Sequence, residues 1–144
     1  MKKLLLFVVI FVLTSANLFA NEYVQNYETA LKFKKEADYQ NAVKYLLKAL
    51  KDKEDDLETA QILCFEISDC FRNAGDEKNA LKFIKVAIRN YGATRDDISA
   101  SSILNNDFLK NANASIDAEY YDLHRIYLLK SNKFERKEYA KLTQ

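Results

Sequence analysis

The segment Ala37-Asp-Tyr-Gln-Asn-Ala42 decides the fold, because it recurs 38 residues later as Gly75-Asp-Glu-Lys-Asn-Ala80. Flanking positions recur at the same spacing: Ala30 corresponds to Ser68, Phe33 to Phe71, Leu46 to Ile84 and Ala49 to Ala87. A unit repeated at a fixed spacing cannot bury its apolar face alone, so its copies stack on one another. The sequence therefore predicts two stacked helix–turn–helix units.

Few helix-breaking residues interrupt the chain, which has no proline and has glycine only at positions 75 and 92. Apolar residues recur with the helical period of about 3.6 residues, so we expect an all-α fold. The expected helices run from Asn21 or Asn26 to about Glu36, from a cap at Asp38 to a polar joint at Lys51–Asp56, from there to about Ala74, over 77–91, near 96–110, over 116–131 and over 134–142, with a turn at Asn111–Asn113.

The two corners, with small and aromatic residues at matched places around them, resemble the tetratricopeptide repeat. The resemblance covers about residues 23–56 and 61–94, and a fragment at 125–134 resembles the middle of a third unit. The family's Trp-Leu-Gly opening and its closing proline are absent from both units. The resemblance implies a short α-solenoid of antiparallel helix pairs wound into a right-handed superhelix.

The expected domain organisation follows from these assignments. Residues 1–20 form a signal peptide, and residues 21–144 form one helical domain of a size usual for a single domain. Within it, residues 95–115 are an insert, a possible lid or dimer contact, and 116–144 are a partial third repeat. A terminal helix around Phe134 would cap the exposed end of the stack.

In the tetratricopeptide family, the first helices of the pairs line a concave groove that holds an extended peptide or a helix. Carried over by position, the groove residues are Tyr27, Leu31, Lys34, Phe65, Asp69, Arg72, Asn73, Asp122, Ile126 and Lys130. Tyr27 and Leu31 do not reproduce the Lys/Asn clamp that binds C-terminal carboxylates, so a partner segment of mixed chemistry is implied. The alternative is that these positions form ordinary solvated helix faces.

The N-terminus has the pattern of an export signal. Lys2 and Lys3 precede an apolar run over residues 4–13, and Phe19-Ala20 precedes the polar Asn21. Ten apolar residues are too few to cross about 30 Å of hydrocarbon as a helix. We expect cleavage after Ala20 and a periplasmic or secreted protein of a bacterial envelope, with an uncleaved anchor as the alternative.

Charge and reactive residues indicate a binding protein and not an enzyme. The formal charge changes from +1 to −1 when Lys2 and Lys3 are removed, which favours neither nucleic acid nor anionic lipid. Cys64 and Cys70 are about 9 Å apart along one helix, too far for a disulfide within it, so buried thiols are expected, with an intermolecular bridge as the alternative. His124 has no carboxylate at helical spacing, and no cofactor or metal site is expected.

Two functions are compatible with this sequence. The first is an adaptor that binds a protein or peptide partner in the groove. The second is a structural envelope protein or small secreted helical effector that self-associates without a groove, and a homodimer is possible in either case.

Cleavage of the signal can be tested directly on protein expressed in a bacterial host. We expect the N-terminal residue of the exported chain to be Asn21, identified by intact mass and N-terminal sequencing. Replacement Ala20→Arg should block processing, because signal peptidase needs a small residue before the cleaved bond. A wild-type chain that keeps residues 1–20 would contradict the assignment.

Overall fold

The structure, a computed structural model, describes residues 22–142, with side chains described over 22–133. The described chain is all helical: α1 over 22–35, α2 Tyr39–Asp52, α3 Leu57–Asn73, α4 Glu77–Tyr91, α5 Arg95–Ala100 and α6 Asn106–Leu142. This confirms the predicted helical class. The predicted signal peptide, residues 1–20, and the side chain of the predicted cap Phe134 lie outside the described residues.

The same aromatic contact joins the two helices of each hairpin. Phe33 of α1 stacks on Tyr45 of α2 with ring centroids 5.6 Å apart, and Phe71 of α3 stacks on Phe83 of α4 at 5.7 Å. Both partners in the second pair follow those in the first by 38 residues. The internal repeat of the sequence is therefore also a repeat of contacts.

The corner between the helices is built the same way in both hairpins. Ala37 and Gly75 both adopt positive φ, at 57° and 80°. The next residue donates its backbone N–H to a carbonyl of the helix just ended, Asp38 to Phe33 at 2.9 Å and Asp76 to Phe71 at 2.8 Å. Each aspartate then caps the following helix, since its carboxylate accepts the backbone N–H three residues on.

Small residues allow the helices to approach closely at equivalent positions. Ala42, Ala49, Ala80 and Ala87 are all fully buried. Ser68, at the place of Ala30, is also fully buried and donates its hydroxyl to the carbonyl of Ala80 at 2.8 Å. The hydroxyl is thus satisfied inside the core.

Helix α3 lies at the centre of the fold. It packs against both α2 and α4. Eight consecutive residues, from Leu63 to Cys70, are buried, which a helix with only one covered face would not show. The first three long helices and α4 therefore share one core around α3.

The predicted helices after residue 92 are wrong in their boundaries. A capping box at Thr94 and Asp97 starts the short α5, and the side chain of Asn105 accepts the backbone N–H groups of Asp107 and Phe108 to start α6. The predicted turn at Asn111–Asn113 is helical, because asparagine costs only about 0.7 kcal/mol in a helix. Burial of Ala112 and Ile116 outweighs that cost.

Helix α6 also replaces the predicted third hairpin. It continues through residues 131–134, where the corner of a third unit was expected, because no residue there supplies a glycine or aspartate stop. Its contacts advance along α4 in the same direction: Lys85 meets Glu119 at 2.7 Å, and Asn90 meets Lys130 at 3.4 Å. Helix α6 therefore runs parallel to α4. Among residues 22–142, no helix combines the length and apolar character needed to span a bilayer.

Three substitutions at the left-handed positions should differ in sign and size. Ala37→Gly should stabilise the fold, and Gly75→Ala should destabilise it, each by about 1 kcal/mol, because only glycine adopts positive φ without strain. Nothing lies within 4 Å of a Cβ at Gly75, so strain alone acts there. Urea unfolding of the variants measures both effects.

Gly92→Ala should cost more, about 2–4 kcal/mol, since positive φ is combined with a steric overlap. A Cβ at Gly92 would collide with the ring of Tyr127. Equal losses for the alanine variants at 75 and 92 would contradict this packing of α6 against the end of α4.

Candidate functional site

A cluster of charged side chains joins α1 to α3. The Lys34 ammonium lies 2.6 Å from Glu66 Oε2 and 2.8 Å from Asp69 Oδ2, and a guanidinium nitrogen of Arg72 lies 2.8 Å from Asp69 Oδ1. Asn73 donates its amide to Asp69 Oδ2 at 3.1 Å. We call these five residues the ionic cluster.

Helical spacing on α3 explains why the cluster forms. Asp69, Arg72 and Asn73 follow Glu66 at intervals that place them on one side of the helix. Lys34 comes from the last turn of α1 and reaches both carboxylates across the boundary between the hairpins. The cluster therefore links the two repeats.

The charges in the cluster balance. The side chains of Glu66 and Asp69 are only 10% exposed, and two cations face the two carboxylates. Burial alone would raise the pKa of Asp69, but hydrogen bonds from Lys34 and Arg72 outweigh it and lower that pKa. Burial would lower the pKa of Lys34, but hydrogen bonds to Asp69 and Glu66 raise it. The cluster thus holds its ionised form without a ligand.

Apolar side chains continue the same surface towards the beginnings of α1 and α3. On α1, Val24, Tyr27 and Leu31 precede Lys34 at helical spacing. On α3, Ile62 precedes Glu66 by one turn. Val24 is 44% exposed and Ile62 is 40% exposed, whereas Tyr27 and Leu31 are half-buried. We call this surface, including the ionic cluster, the α1/α3 face.

The structure brings together four of the predicted groove residues, Lys34, Asp69, Arg72 and Asn73. Tyr27 lies near them, since burial raises the pKa of its hydroxyl and the Glu66 charge raises it further. Sequence reasoning missed Glu66 and Ile62. The spacing of Ile62 to Glu66 and Asp69 was the signal that pointed to them.

Two parts of the predicted groove are corrected. Phe65 is only 4% exposed and belongs to the core, because α3 is covered on nearly every side, so it does not line an open groove. Asp122, Ile126 and Lys130 lie on α6, which packs on α4, and the described partner of Lys130 is Asn90 at the end of α4. These three residues do not join the ionic cluster.

The other reactive residues are placed as expected for structural roles. Cys64 and Cys70 are free and fully buried, and burial raises the pKa of their thiols to about 12 and about 11. His124 stacks on Tyr120 with ring centroids 5.5 Å apart. In the described part of the chain, no three His, Cys, Asp or Glu side chains converge as a metal site would require.

The larger cavities lie elsewhere in the fold. One of about 510 Å³ is formed by α5 and α6, and one of about 590 Å³ by α4 and α6. A third, about 380 Å³, lies between the start of α2 and the end of α3. The α1/α3 face is accordingly described as a surface and not as a pocket.

Comparison with known proteins adds no further assignment: no family model, no curated protein and no solved structure matches the chain.

Removing the shared cation tests the ionic cluster. Lys34→Met should lower the free energy of unfolding by about 2 kcal/mol at neutral pH, since two largely buried carboxylates lose their counter-charge while solvent screens part of the loss. Lys32→Met, on the exposed side of α1, is the matched control and should change stability by less than about 0.5 kcal/mol.

The difference between wild type and Lys34→Met should depend on pH. The lowered pKa of Asp69 stabilises the fold above its unfolded value of about 3.9, and this contribution is lost as pH falls through the folded value. The difference should therefore shrink below about pH 4, as measured by chemical denaturation across pH. A constant difference would show that Lys34 acts through packing alone.

Proposed function

We propose that this protein is an exported interaction module whose α1/α3 face binds a segment of a protein partner, and that it is not an enzyme. The observation that carries the proposal is the repeat of corner and contacts at 38 residues, which sets α1 and α3 side by side as equivalent helices. Repeated helical hairpins with matched faces are typical of proteins that present an extended binding surface. The tetratricopeptide-like solenoid remains part of this proposal.

The chemistry of the face favours a partner segment that is apolar at one end and polar at the other. Val24 and Ile62 offer exposed aliphatic area, and the half-buried ring of Tyr27 offers an aromatic anchor. The balanced ionic cluster offers polar contacts of either sign at the opposite end. A helix or extended strand lying along both helices would meet these regions in turn.

A simple carboxylate clamp is disfavoured at this face. Lys34 and Arg72 already bind Glu66 and Asp69 at 2.6–2.8 Å, so a ligand carboxylate would have to replace an internal one. Apolar contact near Ile62, with the cluster as a polar border, is therefore the better account of affinity.

Capture experiments with a matched pair of variants test this face. Ile62→Glu places a charge on the apolar end and should abolish capture of the partner from envelope extract. Leu47→Glu makes the same change at an equally exposed leucine on α2, outside the face, and should leave capture intact. Circular dichroism should show unchanged helicity for both, because neither side chain belongs to the core.

Capture retained by Ile62→Glu, or lost equally in both variants, would contradict binding at the α1/α3 face. Fractionation of the host, with the protein found in the cytoplasm, would contradict the proposed envelope location.

A further inference from the structure

Helix α6 exposes a continuous stripe of side chains with large apolar members. Tyr121 is 74% exposed and Leu128 is 46% exposed, seven residues apart and so on the same side of the helix. Three further exposed residues share that side: Ala114, Ala118 and Arg125. Leu129, 52% exposed, borders it. We call these residues, Leu129 included, the α6 stripe.

The protein's own helices leave the later part of α6 without a neighbour among the described contacts. Helix α4 ends at Tyr91, and Gly92 lies against Tyr127. The contact furthest along α6 joins Lys130 to Asn90. Helix α6 nevertheless continues to Leu142, about 18 Å further. A helix of this length extending past its packing partner is marginal in water unless something covers it.

Charge is distributed unevenly along α6. Before residue 123 the helix carries four acidic side chains and one basic one: Asp107, Asp117, Glu119, Asp122 and Lys110. From residue 123 to 133 it carries Arg125, Lys130 and Lys133 and no acidic residue. A helix with an acidic first part and a basic later part is complementary to a second copy of itself in the opposite direction.

We propose that a second copy of this chain docks antiparallel along the α6 stripe and forms a two-fold symmetric dimer. Tyr121 of one copy packs against Leu128 of the other, and the contact is repeated by symmetry. Asp122 of each copy faces Arg125 of the other. The exposed alanines at 114 and 118 let the two helices approach closely.

Charge favours a second copy over a lipid surface as the occupant. Anionic lipid would attract Arg125 and Lys133 but repel Asp117 and Asp122 along the same helix. An antiparallel copy satisfies both ends of the helix at once.

The oligomeric state of the purified protein, followed by sedimentation equilibrium, tests the dimer. Wild type should sediment as a dimer. Leu128→Glu should weaken dimerisation by at least roughly 30-fold, the loss expected for a central interface side chain. Leu47→Glu, a leucine of similar exposure on α2, should leave the dimer unchanged. A monomeric wild type, or equal effects of the two variants, would overturn the proposal.

Charge reversal tests the antiparallel direction. Asp122→Lys and Arg125→Glu should each weaken the dimer, because each places like charges across the interface. The double variant should restore most of the affinity, since every exchanged pair is again of opposite sign. Failure of the double variant to recover, with helicity unchanged, would overturn the antiparallel pairing.

The dimer does not depend on partner binding at the α1/α3 face. Ile62→Glu should keep the dimer, and Leu128→Glu should keep partner capture. A monomeric wild type whose partner capture is lost in Leu128→Glu would instead assign the α6 stripe to another protein.

Discussion

The close approach of helices at alanine positions is the constraint on which the rest of the structure depends. Ala42, Ala49, Ala80 and Ala87 are fully buried, and larger residues there would separate α3 from its neighbours. Because the helices can approach closely, α3 is covered on nearly every side. That coverage brings Lys34 of α1 within reach of the carboxylates of α3.

The ionic cluster is a consequence of this central position. Glu66 and Asp69 lie on a helix whose surroundings exclude most solvent, so their charges must be compensated within the fold. Lys34 and Arg72 compensate them. The compensation gives the two hairpins a defined relation, and it also explains why the cations are poor candidates for binding a free carboxylate.

Two surfaces with different chemistry result from this architecture. The α1/α3 face combines a neutral ionic end with exposed aliphatic residues, which suits a segment of another protein. The α6 stripe combines apolar residues with opposite charges at its two ends, which suits a second copy of the chain. A dimer joined through α6 would present two α1/α3 faces and raise the effective affinity for a partner with two segments.

The sequence by itself determined the helical class, the two corners and the matched small residues, because these depend on local spacing and on backbone conformation at Ala37 and Gly75. It predicted four members of the ionic cluster through their places on the first helices. Only the tertiary structure decided that Phe65 is buried while Ile62 is exposed, and that residues 106–142 form one helix parallel to α4. Periodicity gives the direction of a side chain around its own helix, but which neighbour covers that side depends on packing between distant segments.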